Sequence, residues 1–177
     1  MTAQKGFVPI LVILGVVIIA IVGAGGAAVI GQAPRCPNQG SVAGNEKEIG
    51  DLLEKSGSVT VSDGQATTIA RKYLGDKVQD PRVCFTSGFA QASGNIKLGP
   101  VSPSFYASAG IDLSGASPKA TNLDIKVGAL PSMPFVSAQV EKIVSDIINE
   151  NLAKVTLKKK YSTQFSRGSV TVTKLSK

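Results

Sequence analysis

The chain opens with an apolar stretch that constrains everything after it. Residues 6–32 read GFVPILVILGVVIIAIVGAGGAAVIGQ, and no charged side chain lies between Lys5 and Arg35. A helix needs about 20 mainly apolar residues to cross the hydrocarbon core of a bilayer. The stretch therefore predicts a transmembrane anchor at residues 6–32, preceded by a short N-terminal segment at residues 1–5.

Two alternatives to the anchor exist for this stretch. A cleaved secretory signal has an apolar region of about 7–15 residues and a small-residue cleavage site; the stretch is longer, but residues 23–28 offer such a site, so this alternative stays open. The same glycines approach the spacing of a dinucleotide-binding loop, which must open a helix. Pro34 and Pro37 would break that helix, so this alternative is excluded.

The flanks of the stretch predict its orientation. Only Lys5 and the terminal amine lie on its short side, and long domains that follow an anchor are translocated largely regardless of their charge. We therefore expect a single-pass protein of the cell membrane, with residues 1–5 in the cytoplasm and the domain outside. Small residues at Ala20, Ala24 and Ala28 favour self-association of the anchors.

The rest of the chain reads as a linker and one domain. Residues 33–44, APRCPNQGSVAG, have the composition of an irregular linker, and residues 45–177 have the length of a single domain. Cys36 and Cys84 are too few for a zinc site. Outside the cytoplasm they are candidates for one disulfide, and two free thiols remain the alternative.

Composition limits the functions that this domain can have. Histidine is absent, which removes the usual general base and the commonest metal ligand, so neither an enzyme nor a metal or cofactor site is predicted. With no tryptophan and few aromatic residues, no nucleic-acid partner is predicted. The formal charge of +7 comes from the last part of the chain, at Lys154, Lys158, Lys159, Lys160, Arg167, Lys174 and Lys177. This basic segment is either a solvated face or, at residues 158–160, a contact with lipid headgroups or the membrane surface.

Local signals predict two short helices. Asn45 caps a helix over residues 46–55 that Gly57 ends. The spacing of Ser62 and Gln65 is that of a capping box, and it opens a second helix that runs to about Leu74.

Alternating side chains then predict strands. Four strands at residues 82–86, 89–98, 104–113 and 122–127 form an antiparallel meander, with Gly94 as a bulge. Residues 135–153 follow with apolar side chains every three or four positions, which predicts a long amphipathic helix. A hairpin of residues 155–165 and 169–175, turned at Arg167 and Gly168, ends the chain.

This order of elements resembles a family. The elements are, in order, a helix opened by Ser62-Asp63-Gly64-Gln65, a strand after Asp80-Pro81, a meander, a G-x-L-P-x-x-P passage at residues 128–134, a long helix and a closing hairpin. In this order the chain resembles the small membrane-anchored bacterial proteins of the tubular lipid-binding superfamily. That superfamily includes the bactericidal/permeability-increasing protein. The resemblance covers about residues 59–177. It implies an α+β fold in which a curved antiparallel sheet wraps the long amphipathic helix and leaves an apolar groove for acyl chains.

The implied groove joins the apolar face of the long helix to the inner faces of the strands. Its predicted residues are Phe85, Ile96, Phe105, Ile111, Leu123, Ile125, Val136, Val140, Ile143, Val144, Ile147 and Ile148. The corresponding function is that of a membrane-anchored extracytoplasmic protein that holds or transfers acyl chains, with membrane lipid as its partner and Lys158, Lys159 and Lys160 at the headgroup.

A second resemblance supports a different class of function. Lys5-Gly6-Phe7 is similar to the start of type IV prepilins, which are cut between the glycine and the phenylalanine, although Leu11 stands where those proteins carry a glutamate. The alternative function is therefore a pilin-like or other structural surface protein with a packed core and no ligand.

Overall fold

Two short helices form where the sequence supplies capping groups. Helix α1, Glu46–Ser56, begins with the Asn45 side chain accepting a hydrogen bond from the Lys47 backbone N–H at 3.1 Å. It ends at Gly57, whose φ of 73° suits a residue without a side chain. This helix confirms the prediction. The computed structural model describes residues 26–29, 34–40, 42, 45–74, 77–97, 100, 102–128, 157 and 159–175.

Helix α2, Asp63–Leu74, begins with the expected capping box. The Gln65 N–H donates to Ser62 Oγ at 3.3 Å, and the Ser62 N–H donates to Gln65 Oε1 at 3.0 Å. Each side chain thus satisfies a backbone donor of the first turn that has no partner within the helix. This prediction is also confirmed.

The larger sheet contains the predicted meander. Its antiparallel strands are β3, Val78–Thr86, β4, Phe89–Ile96, β5, Ser104–Asp112, and β6, Lys119–Gly128. A short strand β1, Gly26–Val29, pairs in parallel with β6, which gives the order β1-β6-β5-β4-β3.

The smaller sheet contains three antiparallel strands. Strand β2, Ser58–Ser62, pairs with β8, Ser169–Lys174, which pairs with β7, Tyr161–Ser166. The β7–β8 hairpin turns at Arg167 and Gly168, as predicted. Strand β2 was not predicted from the sequence, because its five residues lie directly between two strong helix signals.

The predicted bulge is found opposite Gly94 and not in its own strand, since Asp80 and Pro81 of β3 together face Gly94 of β4. Gly94 pairs in register with Phe105, and a Cβ at Gly94 would lie 2.6 Å from a Val78 methyl group and 3.2 Å from the Phe105 ring. Glycine is needed there because neighbouring side chains lie over the backbone. The register shifts at Asp80, opposite Gly94, and again beside Asn122, and these two residues have positive φ values of 48° and 51°.

The predicted fold class is wrong. A single antiparallel sheet wrapped on a long amphipathic helix was expected, whereas the described chain forms two sheets, one of them mixed, and two short helices. The mixed sheet arises because the open edge of β6 offers backbone hydrogen-bonding groups that β1 satisfies. The predicted helix at residues 135–153 lies outside the described residues.

The predicted transmembrane anchor is contradicted in its described part. Four of its residues, Gly26–Val29, form strand β1 instead of helix, and glycine at the start of this segment disfavours a helix. In the part of the chain that is described, no helix has the length and apolar character needed to cross a bilayer. This finding contradicts the single-pass membrane localisation that was inferred from the anchor. Residues 6–25 and 30–32 of the predicted anchor lie outside the described part.

A ring of hydrogen bonds ties the two sheets to α2. The Asp63 N–H donates to the Gly168 carbonyl at 3.1 Å, and the Gly168 N–H donates to the Phe85 carbonyl at 3.1 Å. The Phe85 N–H closes the ring at 2.8 Å on Asp63 Oδ1. Burial raises the pKa of the Asp63 carboxyl, against the lowering effect of the Phe85 N–H. Beside this ring, the Phe85 and Phe165 side chains pack with ring centroids 6.1 Å apart.

Candidate functional site

Where its side chains are described, one face of the five-stranded sheet carries only apolar side chains and glycine, and we call it the apolar face. Strand register places Ala92 between Val83 and Ala107, with Ile125 beyond Ala107. Small side chains thus occupy the middle of β4 and β5, while larger ones occupy the ends of these two strands and the neighbouring strands β3 and β6. The apolar face consists of Val78, Val83, Phe85, Ala90, Ala92, Gly94, Ile96, Phe105, Ala107, Ala109, Ile111, Ala120, Ile125 and Val127.

The structure brings together the predicted groove residues that lie on strands. Phe85, Ile96, Phe105, Ile111 and Ile125 all belong to the apolar face, and each is at least nine-tenths buried. Leu123 lies in β6, but its side chain is not described. The remaining predicted positions lie outside the described residues: Val136, Val140, Ile143, Val144, Ile147, Ile148 and Lys158.

The two described helices pack on the edge strand β3 of the five-stranded sheet and on the three-stranded sheet. Helix α2 packs mainly on β3 and to a smaller extent on β2, and α1 packs on β2 and β8. Among the described elements, the principal helix contacts therefore involve the edge strand of the five-stranded sheet and not its central strands β4, β5 and β6.

The opposite face of the same sheet is polar and carries a strap. Arg35 and Cys36 lie against it, and Cys36 forms a disulfide with Cys84 of β3. The Cys36 N–H donates to Ser93 Oγ at 2.9 Å, and the Arg35 guanidinium donates to Asn95 Oδ1 at 2.9 Å. The disulfide prediction is confirmed, and the free-thiol alternative is removed.

A cluster of charged side chains lies at one end of the three-stranded sheet. The Glu54 carboxylate contacts the Lys159 ammonium at 3.3 Å and the Lys174 ammonium at 3.8 Å. Lys160 follows Lys159 in the chain and is exposed. Repulsion by the neighbouring Lys159 ammonium lowers the pKa of Lys174. We call Lys159, Lys160 and Lys174 the lysine cluster.

The outer face of the three-stranded sheet is uncharged and rich in hydroxyl groups, a feature that was not predicted from the sequence. Ser58 and Thr173 pair through their hydroxyls at 3.0 Å, and Thr60 and Thr171 pair at 2.8 Å. The signal was the alternation of valine with serine or threonine in β2 and β8, which is typical of strands with one wet face. Its residues are Ser58, Thr60, Ser62, Ser162, Gln164, Ser166, Ser169, Thr171 and Thr173.

A surface depression on α1 is unsuited to an apolar ligand. It is open to solvent, has a volume of about 360 Å³, and is lined by Asn45, Lys47, Glu48, Asp51, Leu52 and Lys55. Charged side chains would lose hydration if an acyl chain covered them. Within the described ranges, no group of three or more Cys, Asp or Glu side chains is arranged to hold a metal ion.

Comparison of the chain with protein-family models, with curated proteins and with solved structures finds no match. The resemblance to the tubular lipid-binding superfamily therefore remains a prediction.

Proposed function

We propose that the protein binds the acyl chains of lipids against the apolar face. The observation that carries the proposal is the distribution of side-chain size on this face. Alanine and glycine line the middle of β4 and β5 at Ala90, Ala92, Gly94, Ala107 and Ala109. Larger side chains line the flanking strands β3 and β6 and, at Ile96, Phe105 and Ile111, the ends of β4 and β5. These small side chains form a short, shallow lane bounded by bulky side chains on its sides and at its ends, and part of an unbranched chain can lie in it.

The energetics of apolar burial favour such an occupant. Each methylene of an acyl chain gains about 0.8 kcal/mol when it leaves water. The apolar face supplies no hydrogen-bonding side chain that the lipid would leave unsatisfied, and every buried side-chain nitrogen or oxygen among the described residues has a hydrogen-bond partner. A methylene chain therefore meets no polar penalty on this face.

A second candidate function is a structural protein whose core is filled by its own side chains. The observation in its favour is the burial of the alanines: Ala90, Ala107 and Ala109 expose 0% and Ala92 exposes 3% of their surface. Lipid entry then requires the protein to move away from the lane, whereas a packed core requires no movement.

The substitution Ala107→Leu separates the two functions. In the lipid-binding protein the added side chain displaces about two methylenes, which lowers uptake of a fluorescent fatty acid roughly ten-fold, while the free energy of unfolding changes little. In a packed core the same change overpacks and destabilises the fold by about 1–3 kcal/mol.

The matched control is Ser108→Leu, one residue along the same strand and on the opposite face. It adds a side chain of the same shape without entering the lane, so uptake should equal that of the wild type. Absence of uptake by the wild-type protein, together with destabilisation by Ala107→Leu, would overturn the lipid-binding proposal.

A further inference from the structure

We propose that the lysine cluster is a docking surface for an anionic lipid bilayer. This inference concerns a different surface from the apolar face and does not depend on acyl-chain binding. It rests on the geometry, charge and neighbours of the cluster.

The lysine cluster is held in place by backbone hydrogen bonds. The Lys174 N–H donates to the Gly57 carbonyl at 2.8 Å, and the Leu175 N–H donates to the Lys160 carbonyl at 2.9 Å. The Tyr161 N–H, directly after Lys160, donates to the Leu113 carbonyl at 3.1 Å. The cluster is therefore fixed at the junction of both sheets with the end of α1.

The local charges leave the lysine cluster positive. Lys159 and Lys174 share one carboxylate, that of Glu54, and Lys160 adds a further exposed ammonium. The side chains of Lys159, Lys174 and Glu54 remain 45%, 30% and 39% exposed, so all of them face solvent. An anionic surface gains from approaching such a cluster.

The chemistry of the cluster fits a bilayer better than a single phosphate group or a nucleic acid. Lysine is a flexible point charge, whereas arginine provides the planar fork used for bidentate phosphate recognition, and the only described arginine of this hairpin, Arg167, lies at its other end. Leu175, beside Lys174, is 42% exposed. An exposed leucine next to lysines is the pattern of a peripheral membrane contact, in which the apolar side chain enters the interface.

Vesicle sedimentation with the full chain tests the proposal. Wild-type protein should bind vesicles that contain phosphatidylglycerol more tightly than vesicles of phosphatidylcholine alone, and added salt should weaken this preference. Each of Lys159→Gln, Lys160→Gln and Lys174→Gln should reduce the preference about five-fold, and the triple variant roughly a hundred-fold. Leu175→Ser should weaken binding to both kinds of vesicle.

Two further variants make the result specific to this surface. Glu54→Gln removes the shared carboxylate and should strengthen the preference about five-fold, a change opposite in sign to any effect of unfolding. Lys77→Gln removes an exposed lysine that precedes β3, away from the cluster, and should leave the preference within about two-fold of the wild type.

The proposal is overturned if the triple variant keeps the preference of the wild type, or if Lys77→Gln lowers it as much as Lys159→Gln does. Tighter binding of duplex DNA than of anionic vesicles, lost in the same triple variant, would also overturn it by assigning the cluster to nucleic acid.

Discussion

The five-stranded and three-stranded sheets use the same alternation of side chains in different ways. The larger sheet turns its apolar face inward and carries a disulfide-bonded strap on its polar face. The smaller sheet also packs its valines inward, but its outer face carries hydroxyl groups and its end carries the lysine cluster. The alternation of apolar and polar side chains thus gives both sheets a shared core. The two sheets differ in their outer faces, since that of the larger sheet is bonded to the strap and that of the smaller sheet faces solvent.

The contrast predicts a large loss of stability where the two sheets meet. Phe85 is 2% exposed and contacts Phe165 of the smaller sheet. Phe85→Ala should therefore lower the free energy of unfolding by about 3–5 kcal/mol, measured by urea denaturation. Phe89→Ala, at an exposed position on the neighbouring strand, is the matched control and should change it by less than about 0.5 kcal/mol. Equal effects of the two substitutions would mean that the sheets do not share a core.

The strap should contribute almost as much to stability, because its disulfide closes a long loop. Cys36 and Cys84 are separated by 48 residues, and a disulfide of this kind stabilises by about 2–4 kcal/mol. Adding a reductant should lower the urea midpoint of the wild type by a corresponding amount. A variant with serine at both positions provides the control, since the reductant should not affect it; an unchanged wild-type midpoint in reductant would contradict the account of the strap.

The hydrogen-bonded ring at Asp63 predicts a smaller effect that depends on pH. Burial raises the pKa of this carboxyl above its ordinary value of 3.8, so the folded state favours the protonated form. Stability from this group is therefore greatest below pH 3.8 and is lost as the pH rises through the raised value. Asp63→Asn keeps an oxygen for the Phe85 N–H and should remove this part of the pH dependence. The same slope of stability against pH in both proteins would contradict this assignment.

The smallest effect is expected on the outer hydroxyl face. Thr171→Val removes the hydroxyl partner of Thr60 but retains the β-branched shape. Because both hydroxyls are near solvent, the free energy of unfolding should fall by less than about 1 kcal/mol. A loss of unfolding free energy as large as that of Phe85→Ala would show that this face is buried. It would contradict the statement that the outer face of the smaller sheet is exposed to solvent.

Local signals predicted the parts of the fold that depend on nearby residues. Asn45 and Gly57 bound one helix, and Ser62 with Gln65 opens the next, because capping hydrogen bonds join residues close in sequence. Alternation likewise assigned Phe85, Phe105 and Ile125 to an inward face. The roles of Gly94 and Gly26 were not predictable in the same way, since they depend on strands that are distant along the chain.

The lysine cluster shows the same division. Lys159 and Lys160 are adjacent and were identified from the charge of the chain, but Lys174 and Glu54 join them only through the pairing of β7 with β8 and the packing of α1. Sequence composition predicts that a basic surface exists. Strand register decides which side chains form it.

Native mass spectrometry of protein purified without delipidation tests the central claim, that the apolar face holds an acyl chain, most directly. The account predicts that the wild type carries an added mass equal to that of a lipid, and that Ala107→Leu loses this mass while Ser108→Leu retains it. A wild-type protein whose mass equals that of the bare chain, and which stays bare after incubation with fatty acid, would contradict the claim.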